Sequence, residues 1–288
     1  ETLNQGIDAN LEYSQKISNV FVTARGNFTY NRNKMINNDD PDWEYKYQNR
    51  IGKPFGSYGS VQPFGLKALG LFASQEEIDN SPKQTYGEYR VGDIRYQDIN
   101  GDGVIDSQDE VALGYTNMPE IVYGFGATAQ WKNWDFNVFF QGVAHTSFFL
   151  AGASLRSPFS SGSMERSAVN EDIYGNVWMS TNTPEQNDRA IYPRLSLSNQ
   201  AGSSNNNQTS DWWLRDGSFL RLKNFEIGYT LPKKLLGKNF IRSLRFYVAA
   251  NNLLTFCNFK LWDPEKGSSD GSGYPLNRVV TLGFNINL

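Results

Sequence analysis

The sequence predicts an all-β protein, an antiparallel transmembrane β-barrel with long external loops. Three observations carry this. Apolar and polar residues alternate with period two over long runs. The connections between runs are short at one end and long at the other. No apolar run reaches the ~18 residues of a membrane-spanning helix. Composition agrees: in 288 residues, 39% are hydrophobic and 14% aromatic, with 26 Gly, too apolar for a disordered chain and suited to strands and turns. The mean hydropathy of −0.54 is compatible with a barrel, because one strand face and the loops are polar.

Taken in order, Ile7, Ala9, Leu11 and Tyr13 share one face, and Asp8, Asn10 and Glu12 share the other. The next run sets Val20, Val22, Ala24, Phe28 and Tyr30 against Thr23, Arg25, Asn27, Thr29 and Asn31. Residues 121–131 and 134–144 repeat the scheme. Tyr123, Phe125, Ala127, Ala129 and Trp131 face one way, as do Trp134, Phe136, Val138 and Phe140. Gly124, Gly126, Thr128, Gln130, Asp135, Asn137 and Gln141 fill the opposite face. Between 218 and 231 the phase shifts. Leu220 and Leu222 have one parity and Phe225, Ile227, Tyr229 and Leu231 the other, which predicts a β-bulge near Lys223 and Asn224. Leu244, Phe246, Val248, Ala250, Leu254 and Phe256 form the next run, and Val280, Leu282, Phe284, Ile286 and Leu288 the last.

Period two is shared by soluble sandwiches and membrane barrels, so the connections decide. If successive strands reverse, segments 14–19, 132–133 and 232–242 close one end, and segments 32–120, 145–217 and 257–276 close the other. Tight turns on one side and long loops on the other are the pattern of outer-membrane barrels. Parity then requires segment 32–120 to contain zero or two further crossings, giving seven or nine strands. The stretch 55–72 is the place for an extra pair, against the disfavouring Pro54 and Pro63. Trp131 and Trp134 flank the turn at Lys132 and Asn133, where a strand pair leaves the hydrocarbon, and Tyr13, Tyr30 and Phe256 sit at other strand ends. An odd strand count leaves two open edges, and unpaired backbone groups in lipid cost several kcal/mol each. The chain is therefore expected to be the C-terminal piece of a larger barrel. The alternative from another class is a soluble, calcium-stabilised β-sandwich that binds glycans.

The inventory of reactive residues removes other functions. A net charge of −3 offers no basic surface for nucleic acid. The single cysteine, Cys257, excludes an internal disulfide and a Cys-based zinc site, and the single histidine, His145, leaves no Ser/His triad or His-ligated metal. No charged-then-apolar leader opens the sequence. No catalytic residue and no enzyme activity are expected. Asp172, Glu185 and Asp188 are loop acids with nothing to set their spacing, and Lys233, Lys234, Lys238 and Arg242 read as a solvated face. Cys257 reads as passive, and Ser74 reads as the cap of a helical turn over 74–80, with Glu77 three residues on.

Several motifs, in order, resemble the SusC/RagA family of TonB-dependent outer-membrane importers of Gram-negative bacteria. They are GDIRYQDINGDGVID at 92–106, YGF at 123–125 with FFQG at 139–142, RDGSFLRLKN at 215–224, GYTLPKKL at 228–235, VAANNLLTF at 248–256 and GYPLNR at 273–278. The resemblance runs over nearly the whole chain, residues 1–288, yet corresponds to about the last third of such a transporter. It implies a 22-stranded barrel, with a plug domain and a TonB-contacting segment that have no counterpart among these residues. It also implies uptake of oligosaccharides or peptides, energised through TonB and assisted by a SusD-like surface lipoprotein that acts as a lid. Barrels of this type often end in an aromatic residue, and Leu288 departs from that pattern. In the long loops, Trp178, Tyr192, Trp212, Trp213 and Trp262 are candidates to stack on sugar rings or pack on the partner. The plainer alternative is that they knit the loops together.

One ligand motif stands apart from the resemblance. Residues 98–109 match an EF-hand-type calcium loop, with Asp98, Asn100, Asp102 and Asp106 at positions one, three, five and nine, Gly103 at the turn, the Val104 carbonyl at seven and Asp109 at twelve. Four carboxylates this close repel unless a cation offsets them. Asp109 stands where Glu is usual, and its shorter arm predicts weaker calcium affinity or tolerance of magnesium. The flanks read as extended, so the loop is expected to stiffen an external segment rather than to sense calcium.

Overall fold

The computed structural model describes residues 1–40, 42–55, 62–151, 171–196, 203–237, 240–267 and 269–288. Seven long strands form one antiparallel sheet: β1 (Thr2–Ile17), β2 (Val20–Met35), β3 (Ile121–Trp131), β4 (Trp134–Ala144), β5 (Phe219–Thr230), β6 (Ser243–Phe256) and β7 (Val279–Asn287). They lie side by side in chain order, so β1 and β7 are the sheet edges.

The register explains why the alternation is so regular. Ala24 sits between Tyr13 and Ala127, Val138 between Ala127 and Phe225, and Val248 between Ile227 and Leu282. A slip of one residue would turn every apolar side chain to the polar face, so this pairing is the one that keeps each face uniform. The bulge falls where the phase shift places it. Phe139 and Phe140 are consecutive but face Asn224 and Leu222, leaving Lys223 as the extra residue. On β6, pairing skips from Asn251 to Leu254, and Asn252 absorbs the kink at φ +53°, a conformation asparagine tolerates.

Two points that the sequence left open can now be taken up. First, among the described residues no eighth or ninth strand joins the large sheet. In the stretch 55–72, Phe64–Gly65 and Ala68–Leu71 pair with Val111–Ala112 and Ile94–Tyr96 in small ladders of their own, while residues 56–61 lie outside the described residues. Pro63 cannot donate to a ladder, Gly70 sits at φ +122°, and a Cβ on Gly65 would meet the Thr209 carbonyl oxygen at 2.4 Å. Second, the sandwich alternative is not favoured, because among the described residues no second sheet covers the apolar face. A sandwich needs a second sheet packed ~10 Å away over the apolar face. Here that face is bare, with Leu11 73% and Leu282 79% exposed.

The buried core lies instead in the long connections. Leu66, Ile94, Tyr96, Ile105, Phe148, Leu150, Ile173, Val177, Tyr192, Trp213 and Phe259 pack into one cluster. They come from three separate connections, after β2, after β4 and after β6. The molecule is thus a bare-faced sheet carrying a compact loop cap at one end, and short turns at the other.

Candidate functional site

The cap is tied by buried polar residues as well as apolar ones. Asp93 is fully buried; its carboxylate accepts from Arg194 Nη2 at 2.8 Å and from Asn206 Nδ2 at 2.8 Å. Gln84 Nε2 donates to Asn205 Oδ1 at 2.8 Å, and Tyr96 N–H donates to Gln84 Oε1 at 2.7 Å. A fully satisfied network of this kind specifies one arrangement of the loops. The short helix Gln75–Asp79 is capped as expected, with Ser74 Oγ accepting Glu77 N–H at 3.2 Å.

The oxygen-rich loop 98–109 is wound on Gly101 and Gly103, at φ +79° and +85°. Asp98 accepts the N–H groups of Gly101 and Gly103 at 2.6 and 2.8 Å, Asn100 that of Asp102 at 3.0 Å, Asp102 that of Val104 at 2.8 Å and Asp106 that of Gln108 at 2.7 Å. Asp109 is fully buried and staples the loop ends, accepting from Ile99 at 2.7 Å and Asp106 at 2.9 Å. The donor chemistry, oxygen only, suits a hard cation. As placed, the side chains serve the loop's own amides, and among the described residues no three acidic, His or Cys side chains converge to hold a metal. Nearby, burial and then Glu110, Asp106 and Asp109 push the Tyr86 phenol up, and burial raises the Glu110 carboxyl against the pull of Arg50.

The five loop aromatics do not stand alike. Trp213 is fully buried, its indole N–H donating to the Asn206 carbonyl at 2.7 Å, and Tyr192 beside it is 1% exposed. The Tyr192 hydroxyl donates to Asp172 at 2.6 Å; burial and this bond hold its pKa above the usual phenol range. Both rings lie inside the cap, and Tyr192 edges a cavity of about 300 Å³ there. Trp212 and Trp262 pack half-buried against the same core. Trp178 covers Gly92, where a Cβ would meet its ring at 2.3 Å. Of the weaker candidates, Asp172 is engaged by Tyr192. The carboxyl of exposed Glu185 is held below the ordinary range by a backbone hydrogen bond within its helical turn. Cys257 Sγ donates to the Phe259 carbonyl at 2.9 Å. Lys238 lies outside the described residues.

Sequence reasoning missed the charged network on the polar face. Arg245 on β6 crosses Gly228 of β5 to reach Asp135 on β4, with Nε–Oδ1 at 3.0 Å, and also pairs with Glu226 at 2.5 Å. A Cβ on Gly228 would lie 2.3 Å from the Arg245 guanidinium, so glycine makes the passage. Gly124 and Gly126 likewise let Phe139 lie flat, and Arg25 stacks on that ring at 5.0 Å. At the cap end, buried Arg221 pairs with Asp263 at 2.5 Å and Glu265 at 3.1 Å, pinning the connection after β6 to the wall. His145, at φ +55°, stacks on Tyr115 and sets Nδ1 3.1 Å from the buried Glu120, which Arg32 also approaches at 3.5 Å. Such a sheet, apolar outside and lined by flattened charged and amide side chains inside, can serve as the wall of a polar passage.

No family model matches the chain. It is 33% identical over 236 residues, 77% of its length, to a TonB-dependent receptor of Formosa agariphila, of which it covers 22%. It is 23% identical over 266 residues, 90% of its length, to the TonB-dependent receptor SusC of Bacteroides thetaiotaomicron, of which it covers 24%. Its fold is shared with a chain of the RagAB peptide transporter, with a TM-score of 0.68, 22% identity, and coverage of 99% of this chain and 29% of that one. The chain thus spans between about a fifth and a third of the length of the relatives it matches.

Proposed function

The chain belongs to the SusC/RagA family of TonB-dependent transporters, and from that premise we propose that it forms the C-terminal wall and part of the external cap of an outer-membrane importer for large nutrients. The observation that carries this reading is the uncovered apolar face, continuous in register over all seven strands, on a sheet whose edge strands β1 and β7 have one neighbour each among the described residues. Lipid would cover that face, and other strands would close the edges. The relatives are receptors and transporters, not enzymes.

The finer reading is that the importer works with a SusD-like surface lipoprotein, draws energy through TonB, and takes up oligosaccharides or peptides. Its support is the SusC relative, the peptide-transporter neighbour, and a packed cap on the long-loop side where a lid would rest. Tagged protein extracted in detergent should bring down a surface lipoprotein, and cells lacking the gene should fail to accumulate labelled oligosaccharides or peptides. Recovery of the tagged protein without detergent, or unchanged uptake of both ligand classes, would refute this function.

Calcium is part of the same proposal. Asp98, Asn100, Asp102, the Val104 carbonyl and Asp106 would hold it, with Asp109 as the staple. Each carboxylate oxygen has two lone pairs, so a cation would add to the amide bonds rather than replace them. Its role would be to offset the four clustered carboxylates. Chelation should speed hydrogen exchange across residues 90–115, and unchanged protection there would remove calcium from the account.

A further inference from the structure

Strand pairing aligns one row of side chains across the apolar face near its short-turn end. Ile17 faces Val20, Val20 faces Trp131, and the row runs on through Trp134, Tyr229, Phe246 and Phe284. Such an aromatic row marks the level at which a barrel wall leaves hydrocarbon for headgroups. Past it on that face come Leu231, Leu244 and Ile286, and then the turns.

The three turns carry one sign of charge. Segments 14–19, 132–133 and 232–242 contain Lys16, Lys132, Lys233, Lys234, Lys238 and Arg242, and neither Asp nor Glu, in a chain whose net charge is −3. Lys238 apart, these cations are exposed, and none has an acidic partner among the described residues. The acids that follow on the adjoining strands stand on the polar face. Asp135 and Glu226 are both spent on Arg245, and Glu12 lies across from Arg25. A carboxylate at Leu288, close to Arg242, leaves the surplus of cations in place. Lys132 Nζ sits over the Trp131 ring at 4.9 Å, and the turn 232–242 also exposes Leu235 by 71% and Phe240 by 78%. Bare apolar side chains among unpaired cations are the chemistry of a segment that lies on an anionic lipid surface. An acidic protein would match the charge, but not the aromatic row that sets these turns at headgroup level.

We propose that this rim binds the headgroups of anionic phospholipids, with their phosphates at Lys132, Lys233, Lys234 and Arg242 and with Leu235 and Phe240 seated among the acyl chains. The proposal rests on the barrel reading, which puts the apolar face in lipid. The long cationic side chains lay their stems along apolar surface and reach the phosphates with their heads. This contact fixes the depth of the wall from the end opposite the cap.

The test uses the native full-length protein extracted from outer membranes, checked for heat-modifiable gel migration. It is reconstituted in nanodiscs of phosphatidylcholine with a minor share of phosphatidylglycerol, and native mass spectrometry counts retained lipids. Phosphatidylglycerol should be held in preference to phosphatidylcholine. Lys132→Asn and Lys233→Gln should each weaken the hold on one phosphatidylglycerol roughly fivefold, the worth of one cation at a lipid surface. Asparagine suits the φ of +53° at position 132, so that variant keeps its turn. Lys83→Gln, exposed in the cap, should change nothing. Equal retention of the two lipids, which is also what a rim serving an acidic protein would give, overturns the site and leaves the barrel standing. So do losses in both rim variants no greater than in Lys83→Gln. A protein that needs no detergent and shows no heat-modifiable migration overturns the barrel and this site together.

Discussion

Placing an arginine at Leu282 separates a lipid-facing wall from a surface that meets water. Leu282 is 79% exposed, projects from the bare face beside Val248, and lies next to the middle of β7. β7 is about as long as the ~9–11 residues that cross a bilayer, so its middle falls near the bilayer centre. Arginine at that depth costs ~2–4 kcal/mol, a roughly 30- to 700-fold fall in the ratio of folded to unfolded protein. The same substitution at so exposed a site in water changes stability by no more than about 0.5 kcal/mol. Thr281→Arg, one residue away on the polar face opposite Ala249, is the internal control and should be nearly neutral. Urea unfolding of the native protein in phospholipid vesicles, followed by tryptophan fluorescence, reads both. If Leu282→Arg and Thr281→Arg shift the midpoint equally, or neither shifts it, the apolar face does not meet lipid and the barrel reasoning fails.

Three further outcomes test the cap and its tether. Trp213→Ala removes the fully buried indole at the centre of the cap and should cost ~3–5 kcal/mol, seen as faster hydrogen exchange across 92–114 with β3–β6 still protected; exchange unchanged in the cap would mean its loops do not share one core. Arg221→Ala strands Asp263 and Glu265 and should cost about 3 kcal/mol, at the lower end for a broken buried pair because both acids keep some contact with water; limited proteolysis within 257–267 should quicken, and wild-type cleavage rates would argue against the pin. Glu110 is raised by burial, so its folded state holds a proton that the unfolded state releases. Its favourable contribution is present below the ordinary glutamate range and is lost as pH rises through the raised folded value. Glu110→Gln should therefore match the wild type near pH 3 and exceed it in melting temperature at pH 7; identical melting curves at both values would show that Glu110 reaches water freely.

The network of Arg245, Asp135 and Glu226 gives the polar face a further property. Its side chains lie along the wall, because glycines at 124, 126 and 228 leave room for neighbouring strands' side chains to lie down. Phe139 and Arg245 therefore follow the sheet instead of standing out from it.

What the sequence by itself determined was everything that repeats locally. Period two assigned the residues of Ile121–Trp131 and Ser243–Asn251 to their faces, the phase shift located the bulge near Lys223 and Asn224, the two-residue turn between Trp131 and Trp134 set a hairpin register, and Ser74 announced its helix cap. These follow from backbone geometry over a few residues, so the order of residues suffices. The alternation could not mark the end of β2, because pairing continues to Met35 past Tyr30, the last apolar residue of that face, where Arg32, Asn33 and Lys34 are all polar. Only the tertiary structure decided which side chains meet across the chain. Arg245 finds Asp135 because β4, β5 and β6 lie side by side and Gly228 stands between them. Trp213 and Tyr192 are core because three connections fold onto one another, and Asp109 serves its own loop because that loop closes tightly enough to bring two distant amides to one carboxylate. Such contacts depend on strand order and loop packing, which periodicity does not encode.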